Sequence, residues 1–283
     1  MNENDEKPFL LVKQDVANIK NWPTDTLCID YYDKRHKLIE PHTILLFLPG
    51  NPGCIGWYST FLKTIVENLG VGFGARGVSY AGHGVGENIV NPSHNAHGDE
   101  YINQKKRIAW TIDGQIEHKL QWMDQFCFLQ NNSHNVPPKF IAIGHSIGCH
   151  LLQRLCILRK DFLNQVQHII FLMPFTIFDP PLYSQKVYLN TGARTEKLAL
   201  SILDGATNVA KALPRTFLNF CLEKFAGVDD EDGRELSLNL ITSPAMGRNF
   251  LTLGMEELRD VPQIPDVRID EKNIFRSFFI CST

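Results

Sequence analysis

Gly144-His145-Ser146-Ile147-Gly148 matches the pattern G-x-S-x-G. A serine held between two glycines at this spacing is the arrangement of a nucleophile elbow, in which a strand turns sharply into a helix. The flanks supply that setting. The apolar run Phe140-Ile141-Ala142-Ile143 precedes the motif, and an amphipathic pattern follows it. A turn this tight forces strain on the serine backbone, and Gly144 and Gly148 let strand and helix approach without a Cβ between them. The hydroxyl of Ser146 would then project at the carboxyl end of a sheet. The unpaired N–H groups of the helix start lie behind it, where an oxyanion could form. Acyl transfer needs a second oxyanion donor from another loop. Pro49-Gly50-Asn51-Pro52-Gly53 follows a second apolar run and is the candidate. The expected donors are the N–H groups of Asn51 and Ile147, with Ser146 as nucleophile and Gly144 and Gly148 as the elbow glycines.

The elements that must position these groups alternate. Leu27–Tyr32 and Thr43–Leu48 read as strands on either side of a charged turn, and they are expected to form an antiparallel edge. Thr43–Leu48 is apolar without alternation, as in a strand covered on both faces. Ile55–Leu69 reads as a helix with Tyr58, Phe61, Leu62, Ile65 and Leu69 along one side. Gly77–Ala81 reads as a short strand opening into the polar loop Gly82–Gly98. Thr111–Leu129 is a helix, Lys139–Ile143 a strand, Ile147–Arg159 a helix and His168–Met173 a strand. Such alternation specifies an α/β fold with a mostly parallel sheet. Residues 174–260 read as helical throughout, interrupted at Pro214, and form a cap insertion within one domain spanning 1–283. Asn273–Thr283 turns apolar again and reads as a strand.

Bulk properties exclude several classes. The chain has 283 residues, a net charge of -3 and 21% charged residues, which offers nothing to steer nucleic acid. The basic run Lys105-Lys106-Arg107 is short enough to be a solvated helix face. The polar start, Met1 to Lys7, lacks a secretory pattern, and no stretch of 18 apolar residues occurs. Seven scattered cysteines without a C-x-x-C pair read as reduced thiols in a cytosolic setting. The sequon Asn131-Asn132-Ser133 is then read as chance. No cofactor motif is present. His94 and His97 lack the companions a metal site needs.

At the level of motifs the chain resembles the lipid droplet-associated hydrolases, a branch of the α/β-hydrolases. The matching pieces are Leu48-Pro49-Gly50-Asn51-Pro52-Gly53 with Trp57-Tyr58, Ser79-Tyr80-Ala81-Gly82-His83, the G-H-S-I-G motif, Leu172-Met173-Pro174 and Met255-Glu256-Glu257-Leu258. The resemblance implies an α/β-hydrolase fold and a serine nucleophile at Ser146. It further implies docking on lipid droplets and the endoplasmic reticulum from the cytoplasmic side, with sterol or neutral lipid esters as substrates. Family members carry the acid of the triad after a strand like Arg276–Cys281, and the histidine after one strand more. On this reading both lie beyond Thr283, the last strands and helix are missing, and the chain is a truncated, spliced or mispredicted product. Triad order in this fold is serine, acid, histidine. Only His150 and His168 follow Ser146, and both read as structural. His145 is expected to serve in packing or in support of the oxyanion loop, and His83 is a candidate substitute base at the mouth of the site. Two functions stand side by side: a lipid ester hydrolase, and a weakly active or inactive scaffold that binds droplets. Apolar residues between Leu198 and Leu222, with Phe175, Ile177 and Phe178, supply either a cap face or a membrane-inserting surface.

Overall fold

The computed structural model describes residues 7–20, 22–84, 108–128, 138–175, 183–228, 230–261 and 277–280. Strands β1 (Phe9–Ile19) and β2 (Trp22–Tyr32) form an antiparallel hairpin in which Ile19 faces Trp22. The two-residue connection matches the twist of the strands when its residues take positive φ, and Lys20 does so at 50°. A short β3 (Leu38–Ile39) folds back on β2. Next come β4 (Thr43–Leu48), a single 3-10 turn (Ile55–Tyr58), helix α1 (Ser59–Leu69) and β5 (Phe73–Val78). Helix α2 (Ile112–Trp122) passes into one π-type turn, Met123–Phe128. Strand β6 (Lys139–His145), helices α3 (Ile147–Leu158) and α4 (Lys160–Gln165), and β7 (Val166–Leu172) complete the core pattern.

Among the described residues four helices follow β7: α5 (Tyr183–Ala212), α6 (Arg215–Ala226), α7 (Glu231–Thr242) and α8 (Pro244–Asp260). Pro214 separates α5 from α6. Asp230 and Ser243 cap α7 and α8 by accepting from Gly233 N–H and Met246 N–H. Strand β8 (Ser277–Ile280) returns to the sheet beside β7. No helix among the described residues is long and apolar enough to cross a membrane.

The sheet order is β1-β2-β5-β4-β6-β7-β8. Strands β5, β4, β6, β7 and β8 run parallel, and β1 and β2 are antiparallel to their neighbours. The antiparallel edge is therefore real but is made of different strands. Thr43–Leu48 lies at the centre, paired in parallel on both sides, and the edge partner of β2 is Phe9–Ile19. Lys13, Gln14 and Asp15 interrupt the apolar pattern of that strand, as suits an exposed edge. The strand expected at Gly77–Ala81 begins earlier, at Phe73, and ends at Val78.

Side chains alternate across β4, which is buried at every position. Ile44, Leu46 and Leu48 point to one face and pack with α2, α3 and Leu253 of α8. Leu45 and Phe47 point to the other and pack with Leu62 and Val66 of α1. Helices on both faces are what a parallel sheet requires. On α1 the apolar face is narrower than its sequence suggests: Phe61 and Leu69 are each 42% exposed.

One charged pair is buried in this sheet. Arg76 of β5 donates from Nη1 to Oδ1 of Asp30 on β2 at 2.9 Å, and Cys28 Sγ donates to Asp30 Oδ2. Burial pushes the Cys28 thiol up to about 12. Cys28, Cys54, Cys149, Cys156 and Cys221 are free thiols.

Removing Asp30 takes away the carboxylate that the buried Arg76 guanidinium faces. Asp30→Ala should cost about 3–5 kcal/mol in urea unfolding. Glu235→Ala, which breaks the exposed pair with Arg215, should leave the midpoint nearly unchanged. Equal losses in the two variants would contradict this account of the Asp30 pair.

Candidate active site

The register of the parallel strands sets the site. Leu48 at the end of β4 lies opposite Gly144 near the end of β6, and His145 lies opposite Leu172 at the end of β7. The loops leaving these carboxyl ends therefore emerge side by side, at the edge where open α/β sheets bind ligands.

Ser146 sits between β6 and α3 with φ 51° and ψ -123°. A non-glycine residue rarely occupies this region. Its N–H donates to Leu172 O at 3.0 Å, and its own carbonyl accepts from Cys149 N–H and from Phe175 N–H. These bonds hold the turn from both sides. The flanking glycines are required by distance. A Cβ on Gly144 would lie 2.8 Å from the Cys149 and Gly148 backbone, and one on Gly148 would lie 2.4 Å from Leu48 O. Helix α3 thus starts directly against the end of β4. Ile147 is its first residue, so its N–H belongs to the turn that lacks intrahelical acceptors.

The loop after β4 packs on this elbow. A Cβ on Gly50 would lie 2.7 Å from His145 Nδ1 and 3.0 Å from Ser146 Cβ. Gly50 N–H donates to Tyr58 Oη, which pairs with His145 Nδ1 at 2.9 Å. His145 therefore turns toward Tyr58 and the loop. Asn51 Nδ2 donates to Phe250 O of α8 at 3.1 Å, and no described group accepts from the Asn51 backbone N–H. Tyr80 Oη donates to Pro49 O at 2.6 Å, Tyr80 N–H donates to Gly53 O, and Ser79 Oγ accepts from Ile55 N–H.

Behind the loop lies a buried polar network that sequence patterning did not single out. Lys119 is fully buried, with Nζ donating to Ser79 O at 2.8 Å and contacting His118 Nδ1 at 3.2 Å; it also lies over the Tyr80 ring. Burial holds its pKa well below the ordinary lysine value. His118 Nε2 meets Thr24 Oγ1, whose hydroxyl donates to Trp22 O. This chain is self-consistent when His118 carries its proton on Nε2 and Nδ1 accepts from Lys119. Gln115 spans Ala81 N–H, Ala81 O and Ala109 O. The available signal was positional: Gln115 and Lys119 fall one turn from Ile112 and Ile116, on the face that had to be apolar.

His83 does not reach the mouth of the site. It is fully buried, accepts from Gly53 N–H at Nδ1, and burial next to Lys119 lowers it to about 3. Its place beneath the loop follows from the tight turn at Gly82, φ 79°. His150 is buried on α3 and lowered to about 4 by burial and by Arg154. His168 is exposed on β7, against Phe278. Among the described residues none hydrogen-bonds the Ser146 hydroxyl, and no cluster of three or more His, Cys, Asp or Glu could hold a metal. His94, His97, Lys105 to Arg107, the sequon and Ile177 to Pro181 lie outside the described residues.

Helix α8 closes the site from the helical side. Asn249 is fully buried; its Nδ2 donates to Gly82 O at 2.7 Å and its Oδ1 accepts from Trp110 Nε1 at 2.6 Å. Glu257 lies further along the same helix near Asn51 and Tyr80, and burial pushes its carboxyl up to about 8.

The chain is similar to known proteins on two levels. It is 31% identical to the lipid droplet-associated hydrolase of Gallus gallus over 111 residues, which is 39% of this chain and 31% of that protein. To the lipid droplet-associated hydrolase of Homo sapiens it is 25% identical over 241 residues, 82% of this chain and 67% of that protein. The solved structure of the epoxide hydrolase CorEH superposes with a TM-score of 0.51 and 13% identity, over 90% of this chain and 76% of that one. At that identity the likeness concerns the α/β-hydrolase fold alone. The family described as lipid-droplet associated hydrolase matches residues 41–283, and the chain belongs to it.

Proposed function

We propose that the chain is a lipid ester hydrolase that works at the lipid droplet surface with Ser146 as its nucleophile. The observation that carries this reading is the Ser146 backbone, φ 51° and ψ -123°. Holding a non-glycine residue there costs about 1–3 kcal/mol. A plain strand-to-helix turn has no use for that strain, whereas a nucleophile that must project from the turn does. In the reaction Ser146 Oγ attacks the ester carbonyl carbon and gives up its proton to a base. The oxyanion takes hydrogen bonds from the Ile147 and Asn51 N–H groups. The alcohol then leaves, and water releases the acid from the acyl-enzyme.

The helices from Tyr183 to Asp260 serve as a cap within one domain. Their outer surface supports docking on a phospholipid monolayer. Leu198, Ile202 and Val209 of α5 are 59%, 63% and 62% exposed, and Phe217 and Phe220 of α6 are each 51% exposed. Apolar side chains this exposed on neighbouring helices mark a binding surface more often than chance. Sterol and neutral lipid esters are the substrate class, and droplets with the adjoining endoplasmic reticulum are the site of action. A second reading rests on the Ser146 hydroxyl having no hydrogen-bond partner among the described residues: the same fold without an engaged base would be a droplet-binding scaffold.

A fluorophosphonate probe should label the folded protein, and Ser146→Ala should abolish the labelling; a folded wild type that does not label supports the scaffold. Gly148→Ala should lose about 1–3 kcal/mol of stability by overpacking and label more slowly, because helix α3 must move off Leu48. In flotation with triacylglycerol emulsions coated in phosphatidylcholine, Ile202→Glu combined with Phe220→Glu should stay in the aqueous fraction. Ser146→Ala should float like wild type; its failure to float would tie docking to the active site.

A further inference from the structure

Pro49 O and Gly50 N–H belong to one peptide unit, and a tyrosine holds each end of it. Tyr80 Oη donates to Pro49 O at 2.6 Å, and Gly50 N–H donates to Tyr58 Oη at 3.3 Å. A peptide unit is planar, so fixing its C=O and its N–H fixes its orientation. The next peptide unit carries the Asn51 N–H. Beneath Gly50 there is no slack: a Cβ there would lie 2.7 Å from His145 Nδ1 and 3.0 Å from Ser146 Cβ. Tyr58 is held by its ring against Phe47, with centroids 4.5 Å apart, and by its hydroxyl against His145 Nδ1 at 2.9 Å. The two hydroxyls differ in where their protons go. Tyr80 gives its own to Pro49 O. Tyr58 accepts from Gly50, so its proton is left for a second partner, and among the described residues that partner is His145 Nδ1. Nδ1 is then the unprotonated nitrogen of the ring, and Nε2 carries the hydrogen.

We propose that Tyr58 is a positioning residue of the Ser146 site: its hydroxyl accepts from Gly50 N–H and donates to His145 Nδ1, tying the loop that holds the second oxyanion donor to the residue before the nucleophile. The proposal rests on the reading of Ser146 as nucleophile and Asn51 as donor. It assigns His145 a neutral ring in one tautomer. A protonated ring would carry a hydrogen on Nδ1 and aim it at the Tyr58 O–H, so one of the two bonds to Tyr58 would have to give way. His145 is half-buried, and burial holds its pKa below the ordinary histidine value, which keeps the ring neutral at pH 7. Tyr58 is the titratable group in contact with it. Cys54 lies behind Tyr58, and Tyr80 lies across the clamped peptide; burial pushes all three up. On the helical side of the loop, Glu257 of α8 is raised by burial to about 8. Below pH 7 these four keep their protons, and the change of charge at the bridge falls on His145.

Tyr58→Phe keeps the ring against Phe47 and removes the hydroxyl. His145→Asn puts an amide oxygen at the branch where Nδ1 stood, an acceptor that does not titrate, whereas His145→Ala offers none. In protein labelled with 15N-histidine, wild-type His145 should carry its hydrogen on Nε2 at pH 7, with Nδ1 unprotonated. In protein labelled with 15N-glycine, the Gly50 N–H signal should lie displaced in Tyr58→Phe. In wild type it should move as the pH falls through the His145 titration, and in His145→Asn it should ignore that range. Fluorophosphonate labelling should slow about tenfold in folded Tyr58→Phe and His145→Ala, and about twofold in His145→Asn. A His145 ring with its hydrogen on Nδ1 overturns the proposal, as does a Gly50 signal that is the same in wild type and Tyr58→Phe. Equal slowing in His145→Asn and His145→Ala overturns it too. Absence of labelling in wild type overturns the nucleophile reading instead, and the Gly50 and His145 signals still decide the role of Tyr58.

Discussion

Helix α3 begins in contact with the end of strand β4, and much of the site depends on that approach. The Gly148 position lies against Leu48 O and Pro49 O, and the Gly144 position lies against the Cys149 backbone. No side chain fits at either point. The helix start is thereby driven into the carboxyl end of the sheet, and the residue between the two glycines has to absorb the turn. Ser146 absorbs it at positive φ. The strain has to be offset by the surrounding bonds, and the elbow is held accordingly: Leu172 O takes the Ser146 N–H, and the Ser146 carbonyl takes two donors. A serine fixed in this way is held in one conformation by the backbone around it.

The loop that faces the elbow is built by a different device. It carries two prolines and two glycines and has little apolar side chain to bury. It is held by polar contacts from beneath and from above. Tyr58, Tyr80 and His83 bond its backbone from the core, Ser79 bonds Ile55 just beyond it, and Asn51 bonds Phe250 from the helical side. Lys119 supports Tyr80 and Ser79 in turn. Fully buried polar groups are costly unless each is matched. Lys119, His118 and Thr24 are matched in a chain that ends on backbone carbonyls, and Gln115 is matched by the backbone of Ala81 and Ala109. Helix α8 is latched by Asn249 to Gly82 and Trp110, so this part of the helical segment belongs to the wall of the site. The exposed apolar residues lie on α5 and α6 instead. Anchoring to the core and exposing apolar side chains thus fall on different helices.

Some of this was legible in the residue order. Continuous apolar runs at Thr43–Leu48 and Phe140–Ile143 identify strands covered on both faces. G-x-S-x-G between strand and helix identifies the elbow, although only Gly144 is demanded by local backbone and Gly148 is demanded by the end of the neighbouring strand, Leu48 and Pro49. The helical character of the segment after β7 and its break at Pro214 follow from local pattern too. The edge hairpin was half hidden. Phe9–Ile19 carries charges in mid-strand, which an edge tolerates and a period-two pattern does not reveal.

The amino-acid order by itself determined what is local: which segments become strands or helices, where the chain must turn, and that a serine sits at the sharpest turn. Only the tertiary structure decided strand order, because pairing is set by long-range register rather than by neighbours in the chain. It moved Thr43–Leu48 from the edge to the centre and brought Leu48 beside Gly144. It also decided the fate of polar side chains. His83 looked available near the site and is buried beneath a loop, while Lys119 and Glu257, both charged residues on helices, are enclosed. Burial depends on what the rest of the chain lays over a residue, and no local pattern carries that information.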